Sequence, residues 1–208
     1  MNIGPSAALV GGTTLRQMLK QGTADLHRRL ESQLGLLEPD LDLCRYRRIL
    51  ELFLGFYDPI EHVLMSQSRL FPFSLRARAA LLERDLSMLG LASEEIAALP
   101  RSTALRGLSH CEELAGCVYV LEGASLGAQA ITPVLRRRLG VAKNSGASFF
   151  AGDEGRTAAR WRVVLGWLEG LQRKGAASQA IVASANATFE ALICWVDEQE
   201  PSWFRRRS

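Results

Sequence analysis

Three histidines occur in this 208-residue chain, and one of them has neighbours suited to chemistry. His27 stands in LRQMLKQGTADLHRRLE, residues 15–31, where apolar positions recur at threes and fours. On a helix, Lys20, Thr23, His27 and Glu31 fall along one side. A neutral imidazole can ligate a metal through one nitrogen and donate its other N–H to an acceptor one turn away. Glu31 is spaced to be that acceptor, and such partners orient a ligand histidine and tune its basicity. Lys20, two turns back, can meet an anionic group on a ligand. The same spacing also describes a plain surface pair of His and Glu, so spacing alone leaves both uses open. His62 and His110 have no comparable setting and read as ordinary surface or core histidines.

A second set of residues lies in YVLEGASLGAQAITPVL, residues 119–135. Gly123 and Gly127 stand four apart, beside Ala124 and Ala128. A glycine inside a helix costs about 1 kcal/mol against alanine, so two in an apolar helix need a reason. One reason is close packing of two helices through a small-residue face. The other is a flat ligand lying on the backbone, over which the glycines also let the helix bend.

The elements that must carry these residues are all helical; no stretch shows the alternation of a strand. A first helix is expected over residues 13–34, capped by Thr13 or Thr14 and ended by Gly35. A second starts at the cap Asp42 and is expected to kink at Pro59. A third is expected from Ser74 to Leu89, and a short one over residues 93–99 capped by Ser93. A long helix over residues 105–139, bent at its glycines, holds the second set. Two more follow, over 156–173 and 178–198, the last capped by Ser178. The stretch 140–155, rich in Gly, Ser and Asn, reads as a loop. The fold class is therefore all-α, a single domain of about seven helices. Its bounds read as a disordered lead-in over 1–12, a helical domain over 13–200 and a basic tail over 201–208.

Composition narrows the function classes. Hydrophobic residues make up 48% and charged residues 23%, with a net charge of +3, as in a soluble globular protein. The one local excess, Arg205-Arg206-Arg207, reads as a solvated tail, so no nucleic-acid partner is expected. Cys44, Cys111, Cys117 and Cys194 form no Cys-x-x-Cys pair and no zinc spacing. As free thiols in apolar helices they suit a reducing cytoplasm. The N-terminus has no basic residue before its short apolar run and does not read as a signal peptide. Residues 114–135 are apolar except Glu122 and Gln129. Spanning a bilayer would bury Glu122 at a cost of about 3 kcal/mol, so a core helix is expected there rather than a membrane span.

Together these segments resemble the haem oxygenase family, in its bacterial biliverdin-producing branch of the bacteriophytochrome-associated type. Residues 15–31 resemble the proximal-helix pattern L-[KR]-x-x-T-x-x-x-H-x-x-[LA]-E. YVLEGASLGAQAI resembles the distal pattern Y-x-x-E-G-S-x-L-G-[GA]. Between them ALLERDLSMLG, residues 80–90, is similar to the segment A-L-x-x-D-L-x-x-L-G, and SFFAGDEGRTAARW, residues 148–161, to the aromatic loop after the distal helix. The order and separations are family-like over about residues 15–170.

The resemblance implies a haem sandwiched between a proximal and a distal helix. It makes His27 the axial iron ligand and Glu31 the acceptor that steadies it. Lys20 and Thr23 would lie beside the propionates. Gly123 and Gly127 would touch the ring, with Tyr119 from the same motif in the pocket. Phe149 and Phe150 would help wall it. Arg162 matches a propionate-binding arginine, with Arg160 a near competitor. Haem would be both cofactor and substrate, opened with O₂ and external electrons to biliverdin, CO and ferrous iron. The implied partners are an electron donor such as a ferredoxin or another reductase, and a bilin-binding photoreceptor. Two departures stand out. Ala124 replaces the aspartate of animal members and the serine common in bacterial ones, and Ala128 replaces a frequent second glycine. Backbone carbonyls, Ser125 or Gln129 are then left to hold distal water. A haem carrier or sensor on the same scaffold is the alternative this raises. A di-iron oxygenase or a thiamine-degrading enzyme of similar topology would instead need converging carboxylates or a reactive thiol such as Cys111, and a scaffold would need no ligand at all.

Overall fold

The computed structural model describes residues 13–152 and 155–199, without the side chains of residues 128 and 129. The expected lead-in over 1–12 and the tail with Arg205, Arg206 and Arg207 lie outside the described residues, as do the side chains of Ala128 and Gln129. Among the described residues there are nine α-helices, one short 3-10 turn and no strand.

Thr14 caps α1 (Leu15–Gly22): its hydroxyl accepts from the Gln17 amide, and the Gln17 side chain accepts from the Thr14 amide. The single helix expected over 13–34 is interrupted at Thr23, after which α2 (Ala24–Leu34) begins. The Thr23 hydroxyl donates back to the Leu19 carbonyl at 2.8 Å, a bond that competes with the helix ladder and bends it. At Gly22, a Cβ would stand 2.7 Å from Val182 Cγ1, so bare backbone meets the last helix there. Gly35 ends α2 with φ +60°, as expected.

Asp42 caps α3 (Leu43–Ser66) by accepting from the Arg45 amide at 2.8 Å. This helix continues through Pro59. α4 (Arg78–Met88) starts at Arg78 rather than Ser74. The reason is a distant cap: Glu61 of α3 accepts from the amides of Arg78 at 2.8 Å and Ala79 at 3.1 Å. In α5 (Ser93–Ala98), Ser93 is the first helical residue rather than the cap. α6 (Cys111–Leu139) starts later than Leu105, where Glu113 accepts from the Ser109 and His110 amides. Its two parts, Cys111–Gly127 and Ala130–Leu139, differ in direction by 52°. Within the stretch expected to be a loop, α7 (Ser148–Ala151) forms one turn. Asp85 of α4 accepts from the Ser148 and Phe149 amides at 2.8 Å each and holds that turn in place. α8 (Thr157–Arg173) and α9 (Ser178–Gln199) complete the chain, with Ser178 inside α9.

α9 is the centre of the bundle and packs on α1, α2, α3 and α6. The closest approach is at Gly116 of α6, where a Cβ would lie 2.5 Å from both the Ala185 amide and the Ile181 carbonyl oxygen. α9 is long and apolar enough to cross a membrane by length and composition, yet half of it is buried within the bundle. Residues 114–135 lie in α6, as a core helix should: Leu114, Cys117 and Val118 are fully buried. An aromatic cluster of Tyr46, Phe53, Tyr57, Phe149 and Phe150 ties α3 to α7.

Candidate functional site

α2 and α6 both rest on α9, and they have no substantial packing on each other. α9 thus carries the helix bearing His27 and the helix bearing the paired glycines without substantial packing of one on the other. Tyr119 of α6 shares a hydrogen bond with Thr23 at the α1–α2 joint. Thr23 is buried.

His27 is half exposed, and its Nδ1 stands 3.3 Å from Glu31 Oε2. Phe189 of α9 meets the imidazole edge-on with ring centroids 5.8 Å apart. Exposed pairs of this kind add little stability. Their effect is on orientation: a carboxylate at Nδ1 selects the tautomer with the proton there and leaves the Nε2 lone pair to bind. Lys20 is exposed in the last turn of α1. Burial pushes the Tyr119 phenol up, opposed by the Thr23 hydrogen bond and the charge of Arg16. Arg16 is thus a second cation at this end, and no motif singled it out.

Gly127 is open: a Cβ there would meet nothing within 4 Å. At Gly123 a Cβ would meet only Trp161 of α8, at 3.4 Å. Gly127 therefore serves no helix–helix packing, and Gly123 has only ordinary contact with α8, unlike Gly116 on the same helix. Trp161 also packs on Tyr119, with centroids 5.5 Å apart. Its nearness to Gly123 is a tertiary fact with no sequence signal beyond its place in the motif SFFAGDEGRTAARW.

The two candidate arginines of α8 part company. Arg162 is exposed and donates only weakly to its own helix, to the Ala158 carbonyl at 3.4 Å. Arg160 turns inward instead and forks onto Glu122, with Nε donating to Oε2 at 2.8 Å and Nη2 to Oε1 at 2.6 Å. It also donates to the Ser74 carbonyl at 2.8 Å and lies over the Phe73 ring. Arg160 is thereby committed to a carboxylate of the protein. Phe149 and Phe150 are buried, and the ring contacts of Phe150 are Tyr46, Phe53 and Phe149. They belong to the core cluster rather than to an exposed wall.

Behind the glycine segment is a buried ionic cluster. Glu122 and Arg78 are 6% and 5% exposed. Arg78 lies 3.5 Å from Glu122 and donates a short hydrogen bond to the Ser125 hydroxyl. Arg76 donates to the same hydroxyl at 3.5 Å. Ser125 therefore accepts from two guanidiniums on this side. A cavity of about 20 Å³ lined by Glu61, Arg76, Arg78 and Glu122 has room for about one water. Burial pushes Glu122 up, but the Arg160 fork and the charges of Arg78, Arg160 and Arg76 outweigh it and hold the carboxyl below the ordinary range. Glu61 shows the opposite balance, raised because burial outweighs its two backbone hydrogen bonds. The sequence clue to this cluster was Glu122 itself, a charge inside an apolar helix. Its partners, 44 and 38 residues away (122 − 78 and 160 − 122), left no mark nearby.

Among the described residues, no three His, Cys, Asp or Glu side chains converge as a metal site. His62 pairs with Asp58 on the surface, and His110 stands at the start of α6.

The family model described as heme oxygenase matches residues 13–198. Two solved structures share the fold. The NO- and CO-bound heme oxygenase from Neisseria meningitidis superposes with a TM-score of 0.74 at 19% identity, covering 90% of this chain and 92% of that one. The heme oxygenase from Leptospira interrogans gives 0.74 at 22% identity, covering 89% and 99%. No curated protein sequence matches the chain.

Proposed function

Since this chain belongs to the haem oxygenase family, we propose that it binds haem between α2 and α6 and, with O₂ and external electrons, opens the ring to biliverdin, CO and ferrous iron. Two observations support this: His27 on α2 is half exposed and oriented by Glu31, and the backbone at Gly127 on α6 faces open space, both helices packing on α9. The residues fit the group: a flat ring needs the space that a Cβ at Gly127 would occupy, and an iron ligand needs a nitrogen left over from Glu31.

In this reading His27 Nε2 holds the iron, and Glu31 keeps the proton on Nδ1. Lys20, Arg16 and Arg162 are the cations available to the propionates, and Arg160 is excluded by its fork onto Glu122. Tyr119 and Thr23 would border the ring at the α1–α2 joint. Gly123 and Gly127 let the ring approach the α6 backbone, with Trp161 beside Gly123. Bound haem supplies the oxygen chemistry and is itself the molecule cleaved; the protein supplies position and electrostatics. A ferredoxin or similar reductase would feed electrons. Supply of biliverdin to a bilin-binding photoreceptor rests on the motif resemblance to the bacteriophytochrome-associated branch. The four free cysteines suit a reducing cytoplasm.

One observation favours a second reading, a haem carrier or sensor. Ala124 brings no hydrogen-bonding group to the distal side, and Ser125 is taken up by Arg78. Hemin titration, followed by ascorbate or a ferredoxin system in air, separates the two. The enzyme gives a haem band that decays to biliverdin absorption and weakens in His27→Ala. A carrier gives a stable band, and absence of any band removes both.

A further inference from the structure

The close approach at Gly116 sets the first half of α6 against α9. Leu114, Ala115, Cys117, Val118, Val120 and Leu121 are all buried there, and at 3.6 residues per turn they cover more than half of the helix circumference. The glycine segment beyond them has no such broad apolar face to hold it. Directly beyond this stretch, the buried polar side chains of the glycine segment among the described residues are Glu122 and Ser125. They stand three apart and so share one face. Both are gripped from outside α6: Glu122 by the Arg160 fork of α8 and by Arg78 of α4, and Ser125 by Arg78 and Arg76. Arg78 is itself fixed in place, because Glu61 of α3 holds its backbone amide.

We propose that Glu122, Arg160 and Arg78 are positioning residues that hold the glycine segment of α6 in the rotation set upstream at Gly116, and so keep the backbone at Gly123 and Gly127 bare and accessible. Turning α6 by one residue would pull the Glu122 carboxylate out of the guanidinium fork and leave buried charges unpaired, a penalty much steeper than shifting one apolar side chain against another. What lies against that backbone rests on the preceding reading; the lock itself rests on the contacts among α3, α4, α6 and α8.

The test is hydrogen–deuterium exchange on the full-length, haem-free protein, comparing wild type with Glu122→Gln and Arg160→Lys. Glu122→Gln leaves two guanidiniums without their carboxylate, and Arg160→Lys keeps the charge but loses the planar fork. Exchange across residues 119–127 is expected to speed up about tenfold in Glu122→Gln and less in Arg160→Lys, with α3 and α9 changing far less. Wild-type protection over 119–127 in both variants would overturn the lock. So would a uniform rise over all helices, which marks general destabilisation. Should Glu122→Gln fail to fold, Arg160→Lys decides on the same criteria. If wild type binds no hemin, the exchange result still judges the lock and only the preceding reading falls.

Discussion

Glu122 illustrates how a buried charge on this fold is balanced. Removing one partner of such a pair costs about 3–5 kcal/mol, because the other charge stays buried. Its carboxyl is held below the ordinary glutamate range, so its contribution is present above the unfolded value and is lost as pH falls through the lower folded one. Glu122→Gln should therefore melt well below wild type at neutral pH, with the gap narrowing in acid. Calorimetry from pH 7 downward checks this, and a constant gap would contradict it. At this scale the sequence revealed what lay one or two helical turns apart. His27 and Glu31 could be paired by spacing, and the pair is present at 3.3 Å. Arg78 and Arg160 could not be assigned to Glu122, since the partnership is made by three helices meeting.

Glycines on one helix can have opposite uses, and α6 has both. At Gly116 a Cβ would sit 2.5 Å from backbone atoms of α9, which have little freedom to move aside. At Gly127 it would enter open space. Gly116→Ala should thus destabilise the protein by more than about 2 kcal/mol, in the manner of an overpacked core. Gly127→Ala should leave the haem-free protein as stable or up to about 1 kcal/mol more so, while weakening hemin binding. Denaturant melts and hemin titrations of the two variants distinguish these outcomes; equal stability losses would refute the contrast. The pattern singled out Gly123 and Gly127 but could not separate packing from ligand contact, which depends on what lies opposite. Helix boundaries show the same limit. Residues 13–34 read as one helix because periodicity persists through Thr23, whereas the break comes from its side-chain bond to Leu19 and the approach of α9 at Gly22.

The whole molecule is arranged around α9, with α2 and α6 laid on it apart from one another. A ligand bound between them would join two walls that otherwise share little contact, and would bind the folded chain alone. Hemin at about a hundred times its dissociation constant should then add about 2.7 kcal/mol, or roughly 5–10 °C in melting temperature for a chain of this size. His27→Ala should remove most of that increment, and thermal melts with and without hemin measure it. The all-α class was legible because helical periodicity runs through nearly every segment. That α9 is the floor was not, since an apolar C-terminal helix can pack in many ways.

Two helix starts have a consequence for how the chain assembles. The buried carboxylates of Glu61 and Asp85 serve as caps for α4 and α7, reaching across 17 and 63 residues of sequence. Neither helix has a side-chain cap of its own at the preceding residue. A helix that borrows its start from a remote partner gains that stabilisation only after the chain has closed the intervening loop. α4 and α7 are therefore products of collapse rather than seeds for it. α1 and α3, whose caps come from the residues next to them, do not wait on that closure.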